Sequence, residues 1–479
     1  MRSPELKGVS GITADSRAVR PGFLFVALPG VKADGRRFIA EAVARGAVAV
    51  LAPQGTHWPP GVPPRPLYCA EAPRARLAEL AVELAGKMPE RLVAVTGTNG
   101  KTSTVDFLRQ ICAAAGRQAA SLGTLGVIAP GVPLTGSLTT PDPVTLANTL
   151  AMLAGRNFTD VALEASSHGI EQSRLDGLRF AAAGFTNLTR DHLDYHGSME
   201  AYRAAKLRLF EVLLPRGAAV RAMADMDGET LTRLREIAAR RGLDFAPVEV
   251  TRVAARPDGQ EVFAGGRQVS LHLPGRFQAD NALLAAALAE TMGVAQALEY
   301  LPQLQGVRGR LERALVLDNG AAAYVDYAHT PDAIARVLSA LRPHALGRLV
   351  IVFGAGGDRD AGKRPLMGEQ AARLADVAIV TDDNPRSEDP ALIRAAIMAA
   401  CPGGIEIGDR RAAIAAGLSE LRAGDVLVVA GKGHEQGQIV QGEVIPFDDA
   451  SVIRELAAAR EMGARGDGGA AAREQGTSP

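Results

Sequence analysis

The sequence predicts an α/β protein of three domains, with parallel sheets in the second and third. At roughly 150 residues per domain, the 479 residues suffice for about three cores. Between residues 92 and 116, an apolar run, a glycine-rich turn and a helical pattern follow one another, which is typical of a phosphate-binding domain. From residue 322 to 430, strand and helix patterns alternate as in a doubly wound parallel sheet.

The composition narrows the class of protein. Lys and Arg number 53 against 53 Asp and Glu, so nothing indicates general attraction to nucleic acid or a membrane surface. The three cysteines lie far apart, which favours reduced thiols in a cytosol over a disulfide framework. The N-terminus has no apolar signal core, and no run of about 18 apolar residues occurs. We therefore expect a cytoplasmic protein without a membrane span, and we expect a monomer.

Residues 1–88 are predicted to form a small α/β domain. Strands are expected at residues 23–28 and 47–51, with a helix between them. Two polar clusters, at residues 15–17 and 32–35, interrupt this pattern. They are either surface turns or groups that hold the polar end of a substrate, and chemistry alone does not choose between these interpretations.

The most informative stretch is AVTGTNGKTS at residues 94–103. Gly97 and Gly100 let the backbone approach an anion with its N–H groups pointing inward. Lys101 can reach outer phosphates, and the Thr102 hydroxyl is placed for Mg²⁺. The spacing is shorter than in the usual P-loop, since a valine stands where its first glycine would be. An ordinary turn with a helix-capping threonine is the alternative, but strand, glycines, lysine, threonine and helix together favour phosphate binding.

The rest of the central domain, residues 89–312, supplies further polar groups at strand ends. An apolar strand ends in Glu164, at the edge where open α/β sheets bind ligands. Glu164 suits a Mg²⁺ ion near the phosphates, or it is a solvated loop acid. A strand at residues 181–186 leads to residues 187–196, whose two His and two Asp form either a metal cluster or the start of an exposed helix. Lys206 follows on a helix, where a lone lysine is normally a surface group.

Residues 313–465 are predicted to form the third domain, and residues 466–479 a disordered tail rich in Gly and Ala. The expected strands and helices are at residues 322–325, 331–341, 349–353, 364–374, 377–381, 391–400, 410–422 and 426–430. The stretch GAGGDR at residues 354–359 loosely matches a dinucleotide-binding fingerprint, but the third glycine is missing.

Ten motifs occur in an order that resembles one family. They are TGTNGKTS at 96–103, LTTPDP at 138–143, EASSHGIEQSR at 164–174, TNLTRDHLDYHG at 186–197, AKLRLF at 205–210, GRLE at 309–312, DYAHTPD at 326–332, GDRDAGKRPLMG at 357–368, DDNPR at 382–386 and GKGHE at 431–435. The sequence resembles the Mur ligases, and within them those that add the third residue of the peptidoglycan peptide. The resemblance covers roughly residues 10–460.

The resemblance implies the architecture and the reaction. It implies an N-terminal domain for the UDP end of a substrate, a central P-loop ATPase, and a Rossmann-like C-terminal domain for an amino acid. The implied partners are ATP, UDP-MurNAc-L-Ala-D-Glu and meso-diaminopimelate. The γ-carboxylate of D-Glu attacks the γ-phosphate of ATP, and the amine of the amino acid then displaces phosphate from the acyl phosphate. This reaction belongs to cytoplasmic peptidoglycan precursor synthesis.

The resemblance also implies the metal and nucleotide sites. Thr102 and Glu164 would hold one Mg²⁺, and a second would lie near Glu164, His192 and Lys206, the last as a carbamylated lysine. Lys101, Glu164, His192 and Lys206 would thus be the catalytic residues. The implied nucleotide contacts are Gly97, Thr98, Asn99, Gly100, Lys101, Thr102, Ser103, Asn281, Arg310 and Asp326. Arg310 would reach phosphate and Asp326 the ribose after domain closure, with His329 nearby.

The remaining implied contacts concern the two other substrates. Those to the UDP substrate are Ala14, Ser16, Val31, Lys32 and Ala33 at the uridine end, and Thr139, Thr140, Ser166, Gln172 and Arg174 at the MurNAc-dipeptide. Those to diaminopimelate are Arg359, Asp383, Asn384, Pro385, Arg386, Gly431 and Glu435. Lysine lacks the second carboxylate of diaminopimelate and would leave the guanidinium of Arg386 unpaired, which would select between the two amino acids.

Two other functions compete with this interpretation. One is another ligase of the same superfamily, either the D-Ala-D-Ala-adding Mur enzyme or a folylpolyglutamate synthase, but neither explains DDNPR together with GKGHE. The other is a regulatory nucleotide-binding protein without ligase activity. Glu164, His192 and Lys206 together speak against that second class, because a protein that only binds nucleotide needs no second metal.

Overall fold

The computed structural model describes residues 3–30, 33–133, 138–256 and 258–459. The chain forms two compact units, one of Met1–Glu249 with Asp280–Leu301, the other of Val250–Ala279 with Pro302–Pro479. Each unit is built on parallel sheet covered by helices, which confirms the predicted α/β class. None of the helices in these described ranges is both long and apolar enough to cross a bilayer.

The first unit begins with a four-stranded parallel sheet in sequential order. Its strands and helices are β1 (Gly11–Thr13), β2 (Phe23–Val26), α1 (Ile39–Ala44), β3 (Ala49–Pro53), β4 (Leu67–Ala70) and α2 (Pro73–Ala85). Alternate residues of β2 enter different cores, Leu24 on one face and Phe25 on the other. Both faces of this sheet are therefore covered, as the continuous apolar run at this strand requires.

A seven-stranded sheet makes up the rest of the first unit, in the order β11-β10-β9-β5-β8-β6-β7. All its strands pair in parallel except β7, which is antiparallel to β6. The strands are β5 (Arg91–Thr96), β6 (Ala119–Gly123), β7 (Gly126–Ile128), β8 (Asp160–Glu164), β9 (Ala182–Phe185), β10 (Ala219–Met223) and β11 (Asp244–Val248). Since β9, β5 and β8 are neighbours, the loops that follow them meet at one edge of the sheet.

Helices of the first unit follow these strands in the chain. They are α3 (Lys101–Ala114), α4 (Pro143–Gly155), α5 (Ser167–Glu171), α6 (Leu193–His196), α7 (Met199–Arg208), α8 (Gly228–Arg241) and the part of α9 (Arg276–Thr291) from residue 280 onward. Helix α4 begins after Asp142, whose carboxylate accepts hydrogen bonds from the N–H groups of Val144 and Thr145.

The second unit contains a three-stranded antiparallel sheet and a six-stranded sheet in the order β15-β16-β20-β17-β18-β19. The strands are β12 (Arg252–Arg256), β13 (Gly259–Ala264), β14 (Arg267–Leu271), β15 (Glu312–Val316), β16 (Ala322–Asp326), β17 (Leu349–Phe353), β18 (Val377–Val380), β19 (Ile405–Glu406) and β20 (Val426–Ala430). Only β15 is antiparallel in the larger sheet. Its parallel strands therefore bring their carboxyl ends to one edge.

Helices cover that sheet, and a hairpin lies close to its loop edge. The helices are α10 (Pro331–Leu341), α11 (Lys363–Leu374), α12 (Pro390–Met398), α13 (Arg410–Ser419) and residues 449–459. The hairpin is β21 (Gly437–Val440) and β22 (Glu443–Pro446). The predicted helices and strands of this region are confirmed, with ends that differ by three residues at most. The predicted domain boundaries stay a prediction, and the expected tail lies outside the described residues.

Candidate active site

The glycine-rich loop between β5 and α3 has the backbone shape that an anion-binding loop requires. Gly97 has φ +142° and Gly100 has φ +86°, values that other residues rarely adopt. A Cβ atom at Gly97 would collide with the Thr186 hydroxyl, and one at Gly100 would collide with the Asn281 side chain. The structure thus requires both glycines and places the predicted nucleotide residue Asn281 against this loop.

The loop is fastened to the end of β9. The N–H of Thr98 donates to the carbonyl of Asn187 (2.8 Å), and the N–H of Asn99 donates to the side-chain oxygen of Asn187 (3.0 Å). Thr102 and Ser103 are buried in the first turn of α3. Strand, loop and helix therefore form the rigid arrangement that the sequence predicts.

Two lysine side chains converge on one carbonyl of this loop. The Lys101 Nζ atom lies 2.9 Å from the Gly97 oxygen, and the Lys206 Nζ atom lies 2.8 Å from it. Lys206 is only 1% exposed, with its Nζ 4.4 Å from the centre of the Tyr202 ring. Burial, and next the charge of Lys101, hold the pKa of Lys206 well below its usual value. The interpretation of Lys206 as a surface group is wrong.

Glu164 ends β8 with its carboxylate buried beside the turn between β6 and β7. One carboxylate oxygen accepts the N–H of Thr124 at 2.7 Å and the other its hydroxyl at 3.2 Å. A Cβ atom at Gly123 would collide with this carboxylate. Glu164 is therefore an oriented buried acid, and the interpretation as a solvated loop acid is wrong.

The predicted dipeptide contacts form one hydrogen-bonded network behind Glu164. The Thr140 hydroxyl donates to the Glu164 carbonyl (2.8 Å) and accepts the Ser166 N–H (3.0 Å). Arg174 donates to the Thr140 carbonyl (2.6 Å) and to the Gln172 side-chain oxygen (2.7 Å). Burial lowers the pKa of Arg174. A nearby hydroxyl pair joins Thr139 to Thr124, with 3.1 Å between the oxygens.

A cavity of about 540 Å³ opens beside this network. Its walls include Ala14 from the predicted uridine end, and Gln172 and Arg174 from the predicted dipeptide end. Ser16 instead donates to the Glu41 carboxylate at 2.9 Å, and it is buried. Ala33 is exposed. The predicted contacts Val31 and Lys32 lie outside the described residues.

The His- and Asp-rich segment after β9 starts a short helix. His192, with φ +50°, precedes α6 and leaves about half of its side chain exposed. In the described ranges, no three His, Cys, Asp or Glu side chains are gathered as a metal cluster would require. Nor, in this part of the chain, do the four predicted metal-binding residues share a hydrogen bond or ion pair. Asp191 acts electrostatically on Lys206, which places this segment near the lysines.

In the second unit, the predicted nucleotide residues surround Tyr327. The Arg310 guanidinium carbon lies 4.9 Å from the centre of the Tyr327 ring, and the His329 and His434 rings lie 4.6 and 5.1 Å from it. Asp326 accepts the N–H groups of Leu311 and Ala328, both at 2.8 Å. Its carboxylate therefore holds the adjoining loops, and burial raises its pKa.

The predicted amino-acid residues gather around a buried lysine. Lys432 is 0% exposed, and its Nζ donates to the Asn384 side-chain oxygen at 2.9 Å. That ammonium lies 3.5 Å from Glu435 and 3.6 Å from Asp383. The Asn384 amide in turn donates to Glu435 at 2.8 Å. A Cβ atom at Gly431 would contact the Asp383 carboxylate at 3.2 Å, so these residues form one site.

Arg386 and Arg359 flank Gly356 at the side of this cluster. A Cβ atom at Gly356 would lie 2.7 Å from the Arg386 Nη1 atom and 3.9 Å from the Arg359 side chain. Arg386 donates to the Gly357 carbonyl (2.8 Å), and its backbone pairs with β21. Pro385 accepts the Glu388 N–H in the same turn, at 3.1 Å. The Arg386 guanidinium and the aliphatic part of the Arg359 side chain thus both approach Gly356.

Sequence reasoning missed two residues that organise these sites. Thr124 orients Glu164, and no motif marked it. Lys432 lies within GKGHE, between two residues that were predicted, but a lysine between glycines gives no sign that it will be buried.

Comparison with known proteins shows which family the chain belongs to. The Mur ligase family catalytic domain matches residues 8–84, the Mur ligase middle domain residues 95–289, and the Mur ligase glutamate ligase domain residues 309–433. A UDP-N-acetylmuramoyl-L-alanyl-D-glutamate–2,6-diaminopimelate ligase of Caulobacter vibrioides is 54% identical over 92% of this chain and 94% of its own. The ligase of that name from Rhizobium meliloti is 51% identical over 94% and 96%.

Solved structures agree with these relatives. A structure of a UDP-N-acetylmuramoyl-L-alanyl-D-glutamate–2,6-diaminopimelate ligase matches with a TM-score of 0.72 and 34% identity, over 95% of both chains. A MurF ligase from Thermotoga maritima, solved with ADP, matches with a TM-score of 0.61 over 95% of this chain and 98% of its own. At 19% identity, that second likeness shows the fold alone.

Proposed function

Because the chain belongs to the Mur ligase family, we infer that it is a UDP-MurNAc-L-Ala-D-Glu:meso-diaminopimelate ligase. It adds meso-diaminopimelate to UDP-MurNAc-L-Ala-D-Glu at the expense of ATP, in peptidoglycan synthesis. The observation that carries this function is the agreement over nearly the whole chain with ligases of that one name, at 54% and 51% identity. We propose that the reaction takes place in the cytoplasm and that the protein acts as a monomer.

The proposed chemistry has two steps. The γ-carboxylate oxygen of D-Glu attacks the γ-phosphorus of ATP, the bond to the β-phosphate oxygen breaks, and ADP leaves. The amine of diaminopimelate then attacks the acyl carbon, and phosphate leaves with the carbon–oxygen bond electrons. The N–H groups of Thr98 and Asn99 donate to Asn187. The phosphates would therefore meet the Gly100 N–H and the N-terminus of α3, and Lys101 adds a positive charge there.

The residues of the first unit fit divalent cations. The Thr102 hydroxyl and the Glu164 carboxylate are hard oxygen ligands of the kind that Mg²⁺ prefers. His192, in the segment after β9, is partly exposed and so accessible to a metal ion. When bound, Mg²⁺ neutralises phosphate charge so that an anionic carboxylate can approach. Lys101 and Lys206 both lie at the Gly97 carbonyl, and the phosphates of ATP or a carbamate on Lys206 would place negative charge beside them.

Lys206 fits carbamylation for a chemical reason. Carbon dioxide reacts with the neutral amine, and burial keeps the Lys206 pKa low enough to leave more of the amine unprotonated. The product, formed with loss of a proton, is a carbamate whose two oxygens share a negative charge, so a buried amine becomes an oxygen ligand beside the phosphate loop. This explains a lysine at a position where a metal ligand is needed.

The second unit supplies the amino-acid site in this proposal. Glu435 and Asp383 accept an ammonium group, because both carboxylates lie at the same cluster and one Asp383 oxygen is buried without a hydrogen-bond partner in the described chain. Arg386 and Arg359 take the second carboxylate of diaminopimelate. The nucleotide roles of Arg310 and Asp326 stay predictions.

Phosphate release tests whether the protein is this enzyme or a nucleotide-binding protein. Purified protein with ATP and Mg²⁺ should release phosphate rapidly only when both UDP-MurNAc-L-Ala-D-Glu and meso-diaminopimelate are present. A release rate that is the same without the UDP substrate would contradict the proposal.

A further inference from the structure

Arg74, at the start of α2, is a cation that none of the roles above uses. It lines the cavity of about 540 Å³, and its Nη2 donates to the Pro29 carbonyl at 2.7 Å. Among the described residues, no carboxylate lies within ion-pair distance of its guanidinium. Arg76, two residues further along α2, pairs instead with Glu5 (2.9 Å) and Glu79 (2.8 Å). A guanidinium that faces a cavity without a carboxylate can pair with an anionic ligand.

The position of Arg74 tells which part of a ligand it would meet. Pro29, which holds its guanidinium, lies shortly before the predicted uridine contacts 31–33 in the chain. The charge of Arg74 also acts on Arg174, which lines the same cavity and belongs to the predicted dipeptide contacts. In the UDP substrate, the group that joins the uridine to the amino sugar is the diphosphate.

The two arginines that line this cavity differ in how many of their hydrogen-bond donors other residues engage. Arg174 is held by the Thr140 carbonyl and the Gln172 side chain, next to the network behind Glu164. In the part of the chain that the structure describes, the guanidinium of Arg74 donates to the Pro29 carbonyl alone, so most of its N–H groups remain for a ligand. Asp15 and Asp142 also line the cavity, but the Asp15 carboxylate is paired with Arg17 and Asp142 caps α4.

We propose that Arg74 binds the diphosphate of the UDP substrate and so sets the affinity of this cavity for nucleoside diphosphates. The proposal rests on the function inferred above and adds a residue to it. The guanidinium would contribute to the affinity for UDP through charge-assisted hydrogen bonds to phosphate oxygens. Uridine carries no phosphate, so its affinity would not depend on Arg74.

Calorimetric titration of the full-length protein with UDP and with uridine tests this role. Arg74→Gln should weaken UDP binding roughly tenfold, as the loss of a charge-assisted contact implies, and should leave uridine binding within about a factor of two. Arg74→Lys should recover part of the UDP affinity, because it keeps the charge without the planar fork. Arg76→Gln is the matched control on the same helix and should bind UDP as the unchanged protein does.

Other outcomes separate this proposal from the function on which it rests. Unchanged UDP affinity in Arg74→Gln, or equal losses for UDP and uridine, would overturn the role of Arg74 alone. Failure of the unchanged protein to prefer UDP over uridine would overturn the diphosphate role. In turnover, Arg74→Gln should raise the KM for the UDP substrate roughly tenfold with the KM for ATP unchanged. An equal rise in both would point to a folding defect and would also count against the proposal.

Discussion

At the scale of single residues, the burial of the Lys206 amine is the feature of the site that the sequence least predicts. The sequence permits a surface lysine at this helix position, whereas the structure buries its amine beside Lys101 at the carbonyl of Gly97. Among the described residues no carboxylate lies within ion-pair distance of this amine, and burial of an unpaired charge is costly, so Lys206 is expected to carry a modification or to face an anion. Only tertiary packing shows this, because the local pattern of α7 is that of any half-buried helix.

Replacement of Lys206 by alanine tests the carbamate directly. We expect Lys206→Ala to lose nearly all ligase activity, because the proposed carboxylate disappears with the side chain. Short carboxylic acids such as acetate should restore part of the rate by entering the vacated space. Activity assays with and without added acetate measure this, and full activity of the variant without acetate would refute the assignment.

Arg386 is predicted to set the choice of amino acid. Arg386→Ala should raise the KM for meso-diaminopimelate by roughly ten- to a hundredfold, as expected for the loss of a charge-assisted pair. The KM for ATP should stay within about a factor of two. Steady-state kinetics with each substrate varied in turn give both values. A similar rise in both constants would mean that the arginine serves folding.

We expect His434 to make the stability of the second unit depend on pH. Burial, and next the charges of Arg310 and Arg308, lower the pKa of His434 from 6.5 to about 4. Between these values the unfolded chain takes up a proton that the folded chain refuses, so stability is full above about pH 6.5 and falls as the pH drops towards 4. The loss at pH 5 is on the order of 1 kcal/mol, after allowance for partial exposure.

Melting temperatures at pH 7 and pH 5 check this prediction. His434→Gln should lower the difference between the two temperatures, while His57→Gln, which alters an exposed histidine, should leave the difference unchanged. A pH dependence that survives intact in His434→Gln would show that other groups cause it.

At the scale of elements, the loop between β5 and α3 could be predicted because its chemistry is local. Two glycines, a lysine and a threonine between a strand and a helix are enough to specify it. The β12–β14 sheet was not predicted, because its strands are short and carry exposed arginines at Arg252, Arg256 and Arg267, so no clear alternation marks them. No motif in the sequence marks the β6–β7 turn that orients Glu164 either.

Two glycines that flank α3, Gly100 before it and Gly116 after it, test the role of the loop. Gly100→Ala should weaken ATP binding at least tenfold, because its φ of +86° disfavours alanine and the added Cβ collides with Asn281. Gly116→Ala is the control, since Gly116 has φ +78° but nothing within 4 Å of an added Cβ. It should cost stability and leave ATP binding intact. Equal ATP binding in both variants, measured by calorimetry, would contradict the account of the loop.

At the scale of the whole molecule, the sequence could predict the class and most elements because apolar strands alternate with amphipathic helices. It could also predict which residues cluster around Asp383, Asn384 and Glu435, through motifs that resemble one family. It could not predict that Lys432 sits buried at the centre of that cluster, because this depends on contact with Asn384, far away in the chain. Nor could it predict that Asp326 accepts the N–H groups of Leu311 and Ala328, because no residue pattern marks which groups a carboxylate will accept.

As a whole molecule, this chain is inferred to join meso-diaminopimelate to the UDP-linked dipeptide. The most direct test supplies the purified protein with ATP, Mg²⁺, UDP-MurNAc-L-Ala-D-Glu and either meso-diaminopimelate, lysine or ornithine, and identifies the UDP-linked product by mass spectrometry. We expect a product lengthened by one diaminopimelate residue, with little or none from lysine or ornithine. No lengthened product with any of the three, or equal amounts with lysine, would contradict this inference.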